Sequence, residues 1–264
     1  MTSRCSLIKI GGSVAEDEGK LHEIARALVE IKAAGRNVVL VHGGGADISR
    51  NLRLIDESPE FIDGLRVTSP RALSMVEMTL SGYMNKKLVG IINKHGCRKG
   101  VKAAGISGVD ASTLVCAPVS ERLGRVGRVD KVDTGLIESL LSGGYMPVVS
   151  PISVDSAFEH YNVNADEAAG ALAAALGAEK LLFLSDVPGV LDEKKERLPI
   201  LSIGEMEALM ESGVVTGGMV PKLKSCISVL EAGVGEIHIC GWEGGDRFRD
   251  QVLSGKASGT VLTK

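Results

Sequence analysis

The chain has 264 residues, a formal net charge of −3 and 24% charged residues, which allows one large α/β domain or two lobes. Its slight acidity argues against nucleic-acid binding, which usually needs a strongly basic face, and no apolar run approaches the roughly 20 residues that cross a bilayer. Glycine is abundant at 33 residues while aromatics are scarce, with four Phe, three Tyr and one Trp. Such a chain packs by close backbone approach and aliphatic filling.

Met1 to Ser6 lead directly into Leu7-Ile8-Lys9-Ile10-Gly11-Gly12, leaving no room for a signal peptide. The five cysteines form no CxxC pair and read as small buried hydrophobes in a reducing compartment. A cytoplasmic protein is expected.

The first strand is Leu7 to Ile10, followed by a helix from Lys20 to Ala34. Asn37 to Val41 is a second strand that ends at His42-Gly43-Gly44-Gly45 and precedes a helix starting near Ala46 or Asp47. A long helical pattern runs from Arg71 to His95. The region from about Lys99 to Asp133, rich in Gly, Val and Arg, suggests hairpins. Pro147 to Ser150, Lys180 to Leu184 and Glu236 to Ile239 are further buried strands. Strand–helix alternation of this kind predicts an open, mostly parallel central sheet sandwiched by helices. Any two lobes would share that sheet.

Ligands in such sheets bind beyond the carboxyl ends of the strands, which directs attention to Gly11-Gly12 and Gly43-Gly44-Gly45. Consecutive glycines let backbone N–H groups converge on an anion. The common phosphate motifs do not fit: Ile48 stands where the dinucleotide fingerprint needs glycine, and no GxxxxGK[ST] occurs. Tyr161-Asn162-Val163-Asn164-Ala165-Asp166-Glu167 opens an Ala-rich helix, with Asn164 as N-cap and Glu167 as its capping partner. Local capping leaves Asn162 unexplained. Gly217-Gly218-Met219-Val220-Pro221-Lys222 opens another helix, whose apolar face is Met219, Leu223, Ile227 and Leu230. A lysine in a first turn opposes the helix dipole, and a bound polyphosphate would account for Lys222. Lys9, inside an apolar strand, either lies on a sheet edge and snorkels to water or serves the same anion.

Taken together, Lys9-Ile10-Gly11-Gly12, Val41-His42-Gly43-Gly44-Gly45, the segment from Phe61 to Thr68 and Asn85 to Val89 resemble the amino-acid kinase family. So do Gly105 to Asp110, Tyr161 to Asp166, Leu184 to Leu191 and Gly217 to Lys222. Within that family the chain is most similar to the acetylglutamate kinases. The motifs are colinear from about residue 7 to Gly259-Thr260, and DGLRVT and YNVNAD are far more specific than the glycine pairs. The resemblance implies the carbamate kinase-like fold and ATP-dependent phosphorylation of the side-chain carboxylate of N-acetyl-L-glutamate, giving an acyl phosphate in arginine biosynthesis.

It also implies a single domain over 1–264, whose N-terminal lobe (about 1–170) binds the amino acid and whose C-terminal lobe (about 171–264) binds ATP. Lys9 and Lys222 match the lysines that stabilise the transferring phosphoryl group, Asp166 the carboxylate that orients them, and Gly12 a backbone donor to that group. Gly44, Gly45, Arg66 and Asn162 match the acetylglutamate contacts, with Arg66 a bidentate clamp on the α-carboxylate. Ser185, Asp186, Val187, Gly189, Val190 and Leu191 match the nucleotide-binding turn. Gly217, Gly218 and Met219 match the loop that closes on ATP. A carboxylate acceptor is ionised at neutral pH, so no general base is needed, and His42 and His160 are expected to be structural. Mg²⁺ would be held mainly by phosphates and water.

The family's inhibited hexamers carry a long helix before the first lysine. None precedes Lys9, so a homodimer without that control is expected. Its dimer helix is matched by Ala72 to Ile92, with Leu73, Val76, Leu80, Met84, Leu88 and Ile91 as the apolar stripe. One rival reading is a kinase for an aminoadipyl or glutamyl group on a small carrier protein. Another is a silent sensor of arginine or a nucleotide. Aspartokinase and glutamate 5-kinase are disfavoured because no further domain follows Lys264.

Overall fold

The computed structural model describes residues 5–217, 219–255 and 258–264. The chain opens with β1 (Cys5–Ile10), α1 (Ser13–Glu16), α2 (Glu18–Ala33), β2 (Asn37–His42) and α3 (Gly45–Arg53). Asp17 caps α2 by accepting from Lys20 N at 3.0 Å. A two-stranded hairpin follows, β3 (Phe61–Ile62) and β4 (Leu65–Arg66), which turns on Asp63 and Gly64 with φ of 50° and 80°. Two positive φ values are what an Asp-Gly hairpin turn needs to match the twist of its strands.

The sequence predicts one uninterrupted helix from Arg71 to His95. The structure has α4 (Pro70–Glu77) and α5 (Asn85–Gly96) joined by a π-helical stretch, Met78–Met84. Thr79 Oγ1 donates back to Met75 O at 2.7 Å, and the widened segment brings Leu80 and Met84 against Gly44. A Cβ on Gly44 would lie 2.8 Å from Leu80 Cδ2.

Then come β5 (Lys102–Ser107), β6 (Leu114–Pro118), β7 (Val126–Val132), α6 (Gly135–Ser142), β8 (Tyr145–Ser150), β9 (Ile152–Val154), β10 (His160–Val163) and α7 (Ala165–Ala175). The chain ends with β11 (Lys180–Ser185), β12 (Ile200–Ser202), α8 (Ile203–Glu211), α9 (Met219–Glu231), β13 (Glu236–Gly241), α10 (Gly245–Ser254) and β14 (Thr260–Thr263).

Among the described residues, eight strands form one sheet in the order β12-β14-β13-β11-β1-β2-β8-β5. Every neighbouring pair is parallel except β13 with β14. Both faces are covered, which is why the strands read as apolar runs. On one face Leu7, Val41, Leu181 and Phe183 pack against α7 and α9; on the other Ile8, Leu40, Leu182 and Leu184 pack against α2, α5 and α10. The predicted sandwich is therefore present. Gly170 lets α7 lie close to α9, since a Cβ there would meet Val229 Cγ2 at 2.7 Å. The hairpin expected between Lys99 and Asp133 is β6–β7, but β5 from the same stretch joins the main sheet at its edge. β6, β7, β9 and β10 close into a small separate barrel.

β1 sits at the centre, with strands from residues 37–150 to one side and strands from residues 180–263 to the other. The order of strands therefore reverses at its carboxyl end, the position where open α/β sheets form a binding crevice. Lys9 is not on an edge strand, and that explanation for it falls.

Two other expectations are corrected. Cys5, Cys116, Cys226 and Cys240 are buried, but Cys97 is exposed. Leu73, Val76, Leu80, Met84, Leu88 and Ile91 are all buried within the chain, so the stripe matched to a dimer helix is core. Among the described residues, no helix is long and apolar enough to cross a membrane.

Candidate functional site

At the crevice, a cavity of about 240 Å³ is lined by Lys9, Gly44, Gly45, Arg66, Asn162 and Asp166, among others. Two elements of its wall are helix beginnings, α3 at Gly45 and α7 at Ala165, and α9, which starts at Met219, reaches its edge through the contact of Lys222 with Asp166. Their free N–H groups and dipoles make this end of the sheet favourable to anions.

Asp166 lies in the first turn of α7, held by Asn164, whose Oδ1 accepts from Asp166 N at 2.8 Å and Glu167 N at 3.3 Å. The predicted reciprocal bond from Glu167 is not made. Glu167 Oε1 instead accepts from Val129 N at 2.7 Å, which ties α7 to β7. Lys9 Nζ lies 2.7 Å from Asp166 Oδ1, and Lys222 Nζ lies 3.0 Å from Asp166 Oδ2. One carboxylate thus joins two lysines contributed by the central strand and by the first turn of α9. Burial would raise the Asp166 carboxyl, but the two ammonium groups hold it below the usual carboxylate range. The three groups together carry one net positive charge, with side chains 13%, 17% and 30% exposed for Lys9, Lys222 and Asp166. A multiply charged anion would complete the arrangement.

Gly11 and Gly12 make room for it. A Cβ on Gly11 would sit 2.3 Å from Lys9 Nζ, and one on Gly12, whose φ is +61°, would sit 2.2 Å from Asp186 Oδ2. The turn after β1 and the turn after β11 are therefore in contact.

At the far wall Arg66 is buried. Its Nη2 donates to Gly45 O and Ser49 Oγ, both at 2.9 Å, and its guanidinium stacks on Phe61 with 4.6 Å to the ring centroid. Its Nη1 is buried with no hydrogen-bond partner. Asn162 Nδ2 donates to Thr68 Oγ1 at 3.2 Å, and Thr68 Oγ1 donates to Arg66 O at 2.8 Å. The barrel strand and the hairpin that bear Asn162 and Arg66 are joined through that one hydroxyl. The sequence assigned no individual role to Ser49, Phe61 or Thr68. The Asp-Gly turn was the available signal for Phe61, because it places that residue opposite Arg66.

The predicted nucleotide turn follows β11. Ser185 Oγ is buried without a partner. Asp186 lies beside Gly12, and Val187 is at the surface. Gly189 has φ +146° and packs against Thr260, whose Oγ1 accepts from Val190 N at 2.8 Å. Val190 is buried, and Leu191 bridges to Arg197. Gly217, at φ +60°, and Met219 flank the start of α9; Gly218 lies outside the described residues.

Neither histidine faces this constellation as a proton carrier. Burial pushes His42 down to about 4. It accepts from Asn85 Nδ2 at 3.2 Å through Nε2, which leaves Nδ1–H to donate to Gly43 O at 3.0 Å. His160 Nδ1 pairs with Glu77 Oε2 at 3.0 Å beside a different cavity.

Residues 4–241 match the model of the amino acid kinase family. The chain is 39% identical to the acetylglutamate kinase of Trichlorobacter lovleyi, covering all of this chain and 93% of that one. It is 38% identical to that of Clostridioides difficile, covering 98% and 90%. Among solved structures, smu.665 from Streptococcus mutans superposes with a TM-score of 0.81 at 26% identity, over 98% of both chains. Carbamate kinase from Giardia lamblia superposes with a TM-score of 0.71 at 19% identity, over the full length of each, a likeness of fold.

Proposed function

The chain belongs to the amino acid kinase family, and from that premise we propose that it transfers the γ-phosphoryl group of ATP to the side-chain carboxylate of N-acetyl-L-glutamate, as an acetylglutamate kinase of arginine biosynthesis. The observation that carries this reading is the sharing of Asp166 by Lys9 and Lys222 at 2.7 and 3.0 Å. The acceptor is already an anion, and so is the donor. Catalysis then consists of holding two anions in line and neutralising the charge that moves between them.

Arg66 receives the α-carboxylate through its unpartnered Nη1, and Asn162 and the N–H groups of Gly44 and Gly45 orient the rest of the amino acid. Lys9 and Lys222 reach the equatorial oxygens of the phosphoryl group from opposite sides, with Gly12 N–H as a further donor. Asp166 keeps both ammonium groups at one spacing and prevents their mutual repulsion from spreading them. ATP lies against the turn from Ser185 to Leu191 and beside Gly217 and Met219, so the amino acid belongs to the lobe of residues 1–170 and ATP to that of 171–264. Among the described residues, no group of three or more carboxylate, imidazole or thiol side chains forms a metal cage. Mg²⁺ would be carried mainly by the ATP phosphates and water, as its reluctance to shed its hydration shell favours.

The enzyme is proposed to work in the cytoplasm as a homodimer. Since the apolar stripe of α4 and α5 is internal, an interface on this side would use the outward Met78 and Tyr83, which are 59% and 53% exposed. A single monomeric species in sedimentation at micromolar concentration would exclude it.

The direct test is ADP release with ATP and either N-acetyl-L-glutamate or free glutamate. Release with the acetylated substrate alone is expected. Equal rates with both would remove the acetyl specificity, and release with neither would remove the kinase reading.

A further inference from the structure

Phe183 lies on β11, 2% exposed, directly opposite Lys9 in the parallel β1–β11 register. The same face of the sheet carries both residues, so the ring forms part of the floor beneath the two lysines. Lys222 Nζ stands 4.9 Å from the centroid of that ring, within the range of a cation–π contact. We propose that Phe183 is a positioning residue for phosphoryl transfer, whose ring face holds the Lys222 ammonium at the reacting centre. The inference rests on the assignment of Lys222 to that centre.

Lys222 needs such support. It occupies the first turn of α9, where the helix dipole disfavours a positive charge. Its side chain is flexible, and the one carboxylate it touches is shared with Lys9. A second carboxylate below it would fix it more firmly, but would also neutralise the charge that the anion must meet. The negative face of an aromatic ring attracts the ammonium without directing any particular N–H. With one N–H on Asp166 Oδ2, the remaining donors stay available for phosphoryl oxygens. A leucine would fill the same space in the core and supply none of this field.

Volume and ring electrostatics can be separated by placing fluorinated phenylalanines at position 183 alone, from 4-fluoro to pentafluoro. These rings are close to the size of phenylalanine, while their faces become progressively less negative. The expected result is a stepwise fall in kcat, reaching about threefold to thirtyfold, with KM for both substrates within about twofold and an unchanged denaturation midpoint. Phe183→Leu should fall at the low end of the series, and Phe183→Trp should restore most of the activity. In a Lys222→Met background the fluorine series should be flat, because the cation is gone. A flat series in the parent enzyme, with Lys222→Met strongly impaired, would overturn the role of Phe183 and leave the site standing. If Lys222→Met is itself unimpaired, the assignment of Lys222 fails, and this inference fails with it.

Discussion

Arg66 Nη2 donates to the carbonyl oxygen of Gly45 at 2.9 Å, and that contact fastens the β3–β4 hairpin to the first turn of α3. One edge of the guanidinium is thereby spent on structure, while Nη1 stays buried and without a partner. A buried donor left unsatisfied costs about 1–3 kcal/mol, and an incoming carboxylate would recover it. On the proposed role of Arg66, one planar fork would both place the hairpin and receive an anion.

Lysine cannot reproduce that fork. Arg66→Lys should raise KM for acetylglutamate by about tenfold to a hundredfold, the range expected for losing a hydrogen bond to a charged group, while KM for ATP changes by less than about twofold. Steady-state kinetics with each substrate varied in turn decide the matter. Equal damage to both would mean that Arg66 serves only to hold the hairpin.

Gly11 presents a different kind of constraint. Its backbone needs no unusual φ, yet a Cβ there would sit 2.3 Å from Lys9 Nζ. Gly11→Ala should leave the fold intact and push the ammonium off Asp166, lowering kcat by about tenfold or more, since small displacements of a catalytic group are costly. Gly90→Ala on α5 is the control for an added methyl, because nothing lies within 4 Å of its Cβ position and it does not line the cavity. If Gly11→Ala keeps full kcat, Lys9 does not depend on the space that glycine leaves.

Much of this site could be read in the sequence because its residues violate local expectations. A lysine inside the apolar run Leu7 to Ile10 and a lysine in the first turn of α9 both oppose their surroundings, and the structure brings both to Asp166. The main sheet was legible for the same reason its strands are apolar: both faces are buried. β5 was not, because its alanines and glycine carry little strand signal and its pairing partner, β8, is about 40 residues further along. Glu167 shows the limit of local rules. Its spacing from Asn164 fits a capping box, but a backbone N–H brought in by β7 won the carboxylate. The helix stripe through Leu73, Val76 and Leu80 was equally ambiguous, since periodicity reports burial and does not say whether the same chain or another provides it.

His42 should be silent in catalysis and visible in stability. Burial pushes its folded pKa to about 4, below the value near 6.5 expected when unfolded. Between those values the unfolded chain binds the extra proton, so its stabilising effect is complete above pH 6.5 and is lost as pH falls toward 4. The size is on the order of 3 kcal/mol for a shift of this extent. Ring NMR of the folded protein should show His42 titrating near 4, with Nδ1 protonated at neutral pH. A midpoint near 6.5 would contradict the buried, neutral assignment.

The last expectation concerns the two lysines and the carboxylate between them. Lys9 is fixed by the centre of the sheet and Lys222 by the first turn of α9, so the pair closes across the crevice only through Asp166. Charge shifts onto the leaving ADP as the phosphoryl group transfers, and donors fixed around its equatorial oxygens act mainly on kcat. Lys9→Met or Lys222→Met should each lower kcat by about 10²–10³, by analogy with the loss of one oxyanion donor, with smaller effects on KM. Asp166→Asn should cost a comparable factor, because two ammonium groups then face each other without their shared counter-charge. Because the two lysines hold the Asp166 carboxyl below its usual range, that variant should also lose the acid-labile stability that Asp166 confers at neutral pH. Circular dichroism checks that each variant folds, and steady-state kinetics reads the rest. A folded Lys9→Met or Lys222→Met enzyme that keeps kcat within threefold of the parent would remove that lysine from the reacting centre.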